Sequence, residues 1–349
     1  MNASTENLAV TDFTVRGVNG PIPKLYGQAL LDAALANERI VCLGADLTPA
    51  TEIDPFRDRL PERFFNLGIA EANMVGVAGG MARSGDIPFL HSFSVFASRR
   101  CYDQVAMQIA YPNLNVKIVG FLPGLTTILG VSHQAIDDMA LMRALPNMTV
   151  IEPGGPEQVA AAVDAALTYE GPVYLRMTRH MAPLPDAFAP RPLVRGRIDI
   201  LREGTDGLLL ATGNMVNAAL DAAEMLACDG FAPCVVNVST IKPLDTAIIE
   251  LARRSRVVVT AENHSIIGGL GSAVAELLMD AGVAAAFARV GVGDTFAEGG
   301  STSYLRKKFG LTARDIADAF RTKAKIMAAG GPVLQNPRLP DRATPNAGA

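Results

Sequence analysis

Short apolar runs of strand length alternate with helical segments along most of this chain, and few folds accommodate that alternation. The runs fall at residues 39–44, 63–67, 87–91, 116–121, 148–151 and 173–177. Between them, helical spacing of apolar residues is found at 25–37, 71–84, about 97–110, 134–144 and 156–169. Strands buried on both faces read as continuous apolar runs, and βαβ crossovers put helices on both sides of them, so the pattern predicts a parallel sheet covered by helices. The proline-dense stretch MAPLPDAFAPRPLVRGR (181–197) resists both helix and sheet and reads as a linker. Beyond it the alternation resumes, with strands near 207–212, 233–238, 256–262 and 286–290 and helices near 215–228, 245–254, 268–281 and 312–328. The expectation is two parallel-sheet α/β domains, 22–180 and 198–328, with an N-terminal lead (1–21) and a C-terminal tail (329–349). The tail lacks apolar periodicity and is expected to be disordered.

Composition narrows the function. A chain of 349 residues with 49% hydrophobic residues can build two sizeable cores. Its formal net charge of -4 comes with no basic stripe, so nothing invites nucleic acid or an anionic membrane. No apolar stretch reaches bilayer-spanning length, and the N-terminus has no secretory signal pattern. Cys42, Cys101, Cys228 and Cys234 are scattered without a CxxC pair and read as reduced core thiols of a cytoplasmic protein.

The candidate sites sit at strand ends, where open α/β sheets place ligands. In NLGIAEANM (66–74), Glu71 stands where an apolar run gives way to a helix of small residues, and MVGVAGGMA (74–82) follows without another charge. Such a carboxylate is expected to be dry and is a candidate for proton transfer. Its alternative role is that of a first-turn acid complementing the helix macrodipole. After the run 87–91, Phe93 and Phe96 are spaced three apart ahead of Ser98, Arg99 and Arg100. Rings there can stack on a flat heterocycle or simply pack in the core. His133 caps a glycine-containing loop at an expected helix start, as a site residue or a structural cap. Arg176 and Arg179 follow a strand, where they can meet an anionic substrate or form ordinary ion pairs.

GIAEANM, FSVFASRRCYDQ, SHQAIDDMALMRALPNMTVIEP, YLRMTR and AENHSIIGGLGSAVAELL together resemble the C-terminal half of a transketolase, over residues 22 to 328. The resemblance implies a pyrimidine-binding domain of the thiamine diphosphate-binding fold, then the transketolase C-terminal domain. In the family a further domain, carrying a GDG motif, binds the diphosphate and Mg2+. Here Gly85-Asp86 is followed by Ile87 and Asp229-Gly230 is preceded by Cys228, so neither matches. The chain is therefore expected to be the second subunit of a split transketolase, working with an N-terminal-half subunit in a dimer of heterodimers.

Carried over residue by residue, the resemblance gives Glu71 the contact to N1' of the cofactor's aminopyrimidine and Phe96, with its neighbour Phe93, the stacking on that ring. It places Asp46 near the cofactor, His133 in the substrate channel and Arg179 on a sugar phosphate. The departures lie mostly on the substrate side. Phe121 replaces a substrate histidine and Leu129 the aspartate that reads an acceptor hydroxyl. Phosphate ligands fall at Ala50, beside Thr51, and at Pro23, beside Lys24, while the third pocket aromatic falls at Arg99. These changes point to ketol transfer through thiamine diphosphate on a non-standard sugar or sugar phosphate. Two other readings are open: the β subunit of a 2-oxo acid dehydrogenase, and a non-catalytic regulatory module with the same fold.

Overall fold

The computed structural model describes residues 24–179, 181–185 and 193–329. Pro23, the N-terminal lead, residues 186–192 of the linker and the tail beyond residue 329 lie outside the described residues. The described parts of the linker, 181–185 and 193–197, carry neither helix nor strand.

The first domain is built from β1 (Ile40–Gly44), β2 (Phe64–Asn66), β3 (Ile87–Phe93), β4 (Lys117–Phe121), β5 (Thr149–Ile151) and β6 (Val173–Met177). Its helices are α1 (Leu25–Ala36), α2 (Asp54–Arg59), α3 (Glu71–Arg83), α4 (Ser94–Ser98), α5 (Tyr102–Gln104), α6 (Asp138–Ala144) and α7 (Val159–Leu167). Every residue of β1, β3, β4 and β6 is buried, the condition of strands covered on both faces. Tyr26, Leu30, Phe89, Phe93, Phe121 and Ala162 share the core on one side of the sheet. Leu43, Met74, Leu90, Ile109, Ile118 and Met139 share the core on the other.

The second domain comprises β7 (Asp199–Arg202), β8 (Leu208–Ala211), β9 (Cys234–Asn237), β10 (Thr240–Lys242), β11 (Val257–Ser265) and β12 (Ala286–Val292). Its helices are α8 (Met215–Ala227), α9 (Ala247–Arg253), α10 (Leu270–Asp280), α11 (Thr302–Lys308) and α12 (Ala313–Ala328). The two sheets run β10-β5-β6-β4-β3-β1-β2 and β12-β11-β8-β9-β7.

Each sheet is parallel, as expected, except for one antiparallel edge strand. β7 pairs antiparallel with β9, and β10 leaves its own domain to pair antiparallel with β5, Thr240 opposite Ile151. Both are short strands whose apolar alternation is too brief to read, as is also true of α2 and α11, which periodicity missed.

Two expected helices also differ. The segment 97–110 starts earlier, at Ser94 directly after β3, and breaks at Cys101, whose backbone (φ −125°, ψ 23°) is not helical, before α5 and a π-helical turn over Val105–Ala110. The segment 134–144 is helical only from Asp138, because the preceding backbone is committed elsewhere. Gly124 and Ser265 donate to the carbonyls of Ala135 and Ile136 at 2.8 Å, and Arg99 donates to that of Gln134 at 3.1 Å. His133 accordingly lies in a 3-10 turn (Val131–His133) rather than at a helix start. Of the cysteines, Cys42, Cys101 and Cys234 are buried, but Cys228 is exposed at the end of α8, so it is not a core thiol.

Candidate active site

Glu71 is the first residue of α3 and only 1% exposed. It does not stand alone as the sequence suggested. Ser92, at the carboxyl end of β3, donates its hydroxyl to Oε1 at 3.1 Å, and Arg100 donates from one guanidinium nitrogen to Oε1 at 3.1 Å and Oε2 at 2.9 Å. Arg100 occupies the break between α4 and α5 and is 43% exposed along its side chain, while its guanidinium carbon lies 4.0 Å from the Phe96 ring centroid. Behind it, the Cys101 thiol is pushed up to about 12 by burial and then by the Glu71 charge, so it stays protonated.

Phe93 ends β3 and Phe96 lies one turn along in α4, with ring centroids 6.1 Å apart. The His133 ring meets both edge-on, at 6.0 Å and 5.2 Å. Partial burial and the nearby Arg100 cation hold His133 below the usual imidazole range, which leaves it neutral around pH 7. Its loop is fastened by Arg99, which donates to both Asp137 carboxylate oxygens at 2.9 and 2.8 Å. The residue in the place of the third pocket aromatic is thus a loop anchor.

The fold brings Glu71, Phe93, Phe96 and His133 together and adds Ser92 and Arg100. Arg100 lies past the end of α4, so no helical spacing in the sequence announced it; packing brings its guanidinium over the Phe96 ring. Phe121 pairs with Phe93 across β3 and β4, and Leu129 packs on the same core. Asp46 is set apart: it is exposed at the tip of β1 with φ 61°, and its hydrogen bonds go to Asn66.

Arg179 lines a cavity of about 470 Å³ together with Tyr26, Glu52, Phe121 and Thr178. Its Nε lies 3.6 Å from the buried carboxylate of Glu52, a residue the sequence reading passed over. Burial raises the Glu52 carboxyl although Arg179 pulls the other way. Lys24 is tied to Asp54, and Thr51 is fully buried with its hydroxyl donated to the Leu47 carbonyl at 2.9 Å. Arg176 is no substrate ligand. It is fully buried in β6 and bonded to Asp138 at 2.9 Å and Glu152 at 2.6 Å. Among the described residues, no group of three or more His, Cys, Asp or Glu side chains is placed to hold a metal ion, and no helix is long and apolar enough to cross a membrane.

Residues 21–185 match the transketolase pyrimidine-binding domain and residues 196–316 the transketolase C-terminal domain. The chain is 48% identical over 296 residues to the 6-deoxy-6-sulfo-D-fructose transketolase subunit SqwH of Clostridium sp. (strain MSTE9), covering 84% of this chain and 91% of that one. A solved split gene transketolase, described as an inactive beta4 tetramer, superposes with a TM-score of 0.79 at 44% identity, over 86% of this chain and 97% of that chain. The transketolase of Leishmania mexicana shares the fold at 22% identity and a TM-score of 0.73, and the match spans 47% of its length. The chain belongs to the transketolase family and, like the split transketolase subunits it matches nearly end to end, carries the pyrimidine-binding and C-terminal domains.

Proposed function

We propose that this chain supplies the pyrimidine-binding half of a thiamine diphosphate site in a split transketolase and that a partner chain supplies the diphosphate- and Mg2+-binding half. The observation that carries this reading is the seat formed by Glu71 and Phe96, a carboxylate 1% exposed beside an aromatic face on which a flat, hydrogen-bond-donating group already rests. That a guanidinium fits there supports the fit of an aminopyrimidine, which needs the same stacking face and the same acceptor. The split gene transketolase described as an inactive beta4 tetramer supports dependence on a partner, and with it a dimer of heterodimers.

When bound, thiamine diphosphate supplies a nucleophilic carbon that takes up and releases the two-carbon ketol unit. Glu71 holds and exchanges a proton at N1' of the pyrimidine ring, and its burial keeps water from competing for that proton. Phe96 and Phe93 fix the plane of the ring. His133, neutral beside them, accepts a proton from a substrate hydroxyl and returns it.

On the substrate side, Phe121 and Leu129 present apolar walls. Arg179 faces Glu52 at 3.6 Å, and Lys24 and Thr51 are engaged elsewhere. A phosphate arriving at that end meets a carboxylate beside its arginine, which disfavours ordinary aldose phosphates. The name of the SqwH relative points the same way, toward a non-standard sugar.

The test is co-expression with the reading frame of about 250 to 300 residues expected to carry the diphosphate domain, followed by ketol-transfer assays. Donors would include 6-deoxy-6-sulfo-D-fructose and xylulose 5-phosphate, with acceptors of both phosphorylated and unphosphorylated types. Turnover is expected only with both chains present, to be lower by about 10² to 10⁴ in Glu71→Gln, and to favour the non-standard sugars. Turnover by this chain alone, near wild-type activity in Glu71→Gln, or preference for xylulose 5-phosphate and ribose 5-phosphate would each overturn the corresponding part.

A further inference from the structure

A buried carboxylate without a partner is costly, and Glu71 has been given a partner that can leave. The Arg100 guanidinium meets both Glu71 oxygens, at 3.1 and 2.9 Å, while resting on the face of Phe96 at 4.0 Å. A flat group with donors on its edge and a π-face below it satisfies the two demands an aminopyrimidine would satisfy here. Two such groups cannot share one ring face and one carboxylate.

We infer that Arg100 is the resident occupant of the heterocycle seat, holding the Glu71 carboxylate while the site is unloaded and swinging out to solvent when the cofactor's pyrimidine enters. The inference rests on the proposed thiamine diphosphate site. Three observations carry it further than the contact alone. The Arg100 side chain is 43% exposed, so its outward path begins in water and its charge regains hydration on leaving. Its backbone lies at the irregular junction before Cys101 rather than inside a continuous helix, so the stem is not locked by helical neighbours on both sides. Ser92 donates to Oε1 at 3.1 Å from β3, a bond that does not pass through the cation and holds Glu71 from the opposite element. The neighbouring Arg99 cannot take the role, since it is bound to Asp137 and the Gln134 carbonyl.

An occupant of this kind lowers apparent cofactor affinity by the fraction of chains in which the seat is open. Removing it must therefore tighten binding, whereas removing an ordinary binding residue would weaken it. The experiment uses Arg100→Met, which keeps a stem over Phe96 and removes the charge and donors. Calorimetric titration of the reconstituted two-chain assembly with thiamine diphosphate at fixed Mg2+ is expected to give a dissociation constant lower by about fivefold or more than wild type. In parallel, thermal melting of the full chain without cofactor is read for wild type, Arg100→Met, Glu71→Gln and the double variant. Arg100→Met is expected to lower the melting temperature, and Glu71→Gln to cancel most of that loss.

A dissociation constant unchanged or raised in Arg100→Met overturns the displacement. Additive melting effects of the two substitutions overturn the Arg100–Glu71 contact itself. If the wild-type assembly binds no thiamine diphosphate, the functional reading falls and this inference falls with it, whereas binding with an unchanged constant overturns this inference alone.

Discussion

His91, in the middle of the first sheet, shows how far a single residue's chemistry is set by its neighbours. Its Nδ1 lies 2.9 Å from the Leu43 carbonyl, which can only accept, so Nδ1 carries the proton and Nε2 accepts the Tyr26 hydroxyl at 2.7 Å. Burial holds this imidazole down at about 4, against an ordinary 6.5. The unfolded chain therefore binds a proton at His91 below pH 6.5 while the folded chain does not until about pH 4. Stability rises with pH across that window and is lost as pH falls through it. Urea unfolding of wild type and His91→Gln at pH 7 and 4.5 should show wild type losing about 2 to 3 kcal/mol more on acidification, and parallel losses would refute this. Glu71 illustrates the same dependence at the site. Its isolation in the sequence announced a dry carboxylate, but the Ser92 and Arg100 partners come from β3 and the break after α4, 21 and 29 residues away.

Among the elements, β6 carries the most consequential side chain. Arg176 donates to Asp138 in α6, to Glu152 beyond β5, and at 2.8 Å to the backbone carbonyl of Asn263 in β11 of the second domain. Its two carboxylate partners respond in opposite directions. Burial works to raise Asp138, yet Arg176 and then His264 outweigh it and hold the carboxyl below its usual range. Glu152 receives a single guanidinium bond, and its burial prevails, raising it. Arg176→Met strands buried negative charge in the centre of this network and should cost about 3 to 5 kcal/mol in urea unfolding. Adding Asp138→Asn and Glu152→Gln should recover part of that loss. A single-variant cost under about 1 kcal/mol would show the network to be expendable. The sequence marked Arg176 as a cation at a strand end. It could not say that the cation faces inward, because strand alternation gives a face and not the residues packed on it.

At the scale of the whole molecule, the two domains are sewn into one body. β10 completes the first sheet, Lys242 donates to the Arg143 and Leu145 carbonyls at 2.8 and 2.5 Å, and Asn263 Oδ1 accepts the Leu125 N–H at 2.9 Å. The approach is so close at Gly124 (φ 59°) that a Cβ there would lie 2.2 Å from the Asn263 carbonyl oxygen. A fragment ending at residue 185 keeps the first domain's own strands but loses β10 and leaves the β5 edge unpaired. It should aggregate or melt without cooperativity, read by circular dichroism and light scattering. A monomeric fragment with a sharp transition would mean the domains fold independently.

The sequence by itself determined the α/β class, the two-part organisation and the family, because apolar periodicity and ordered motifs are local and survive without coordinates. It also singled out Glu71, Phe93, Phe96 and His133, which the fold does bring together. Only the tertiary structure decided that Arg100 closes over Glu71, that Glu52 faces Arg179, that Arg176 ties domains instead of meeting substrate, and that β10 crosses between sheets. Each of those outcomes joins residues that are distant in sequence through charge, stacking or backbone pairing. Such pairings cost nothing to predict wrongly from a periodicity, since periodicity fixes which face a residue occupies while packing alone fixes what it meets there.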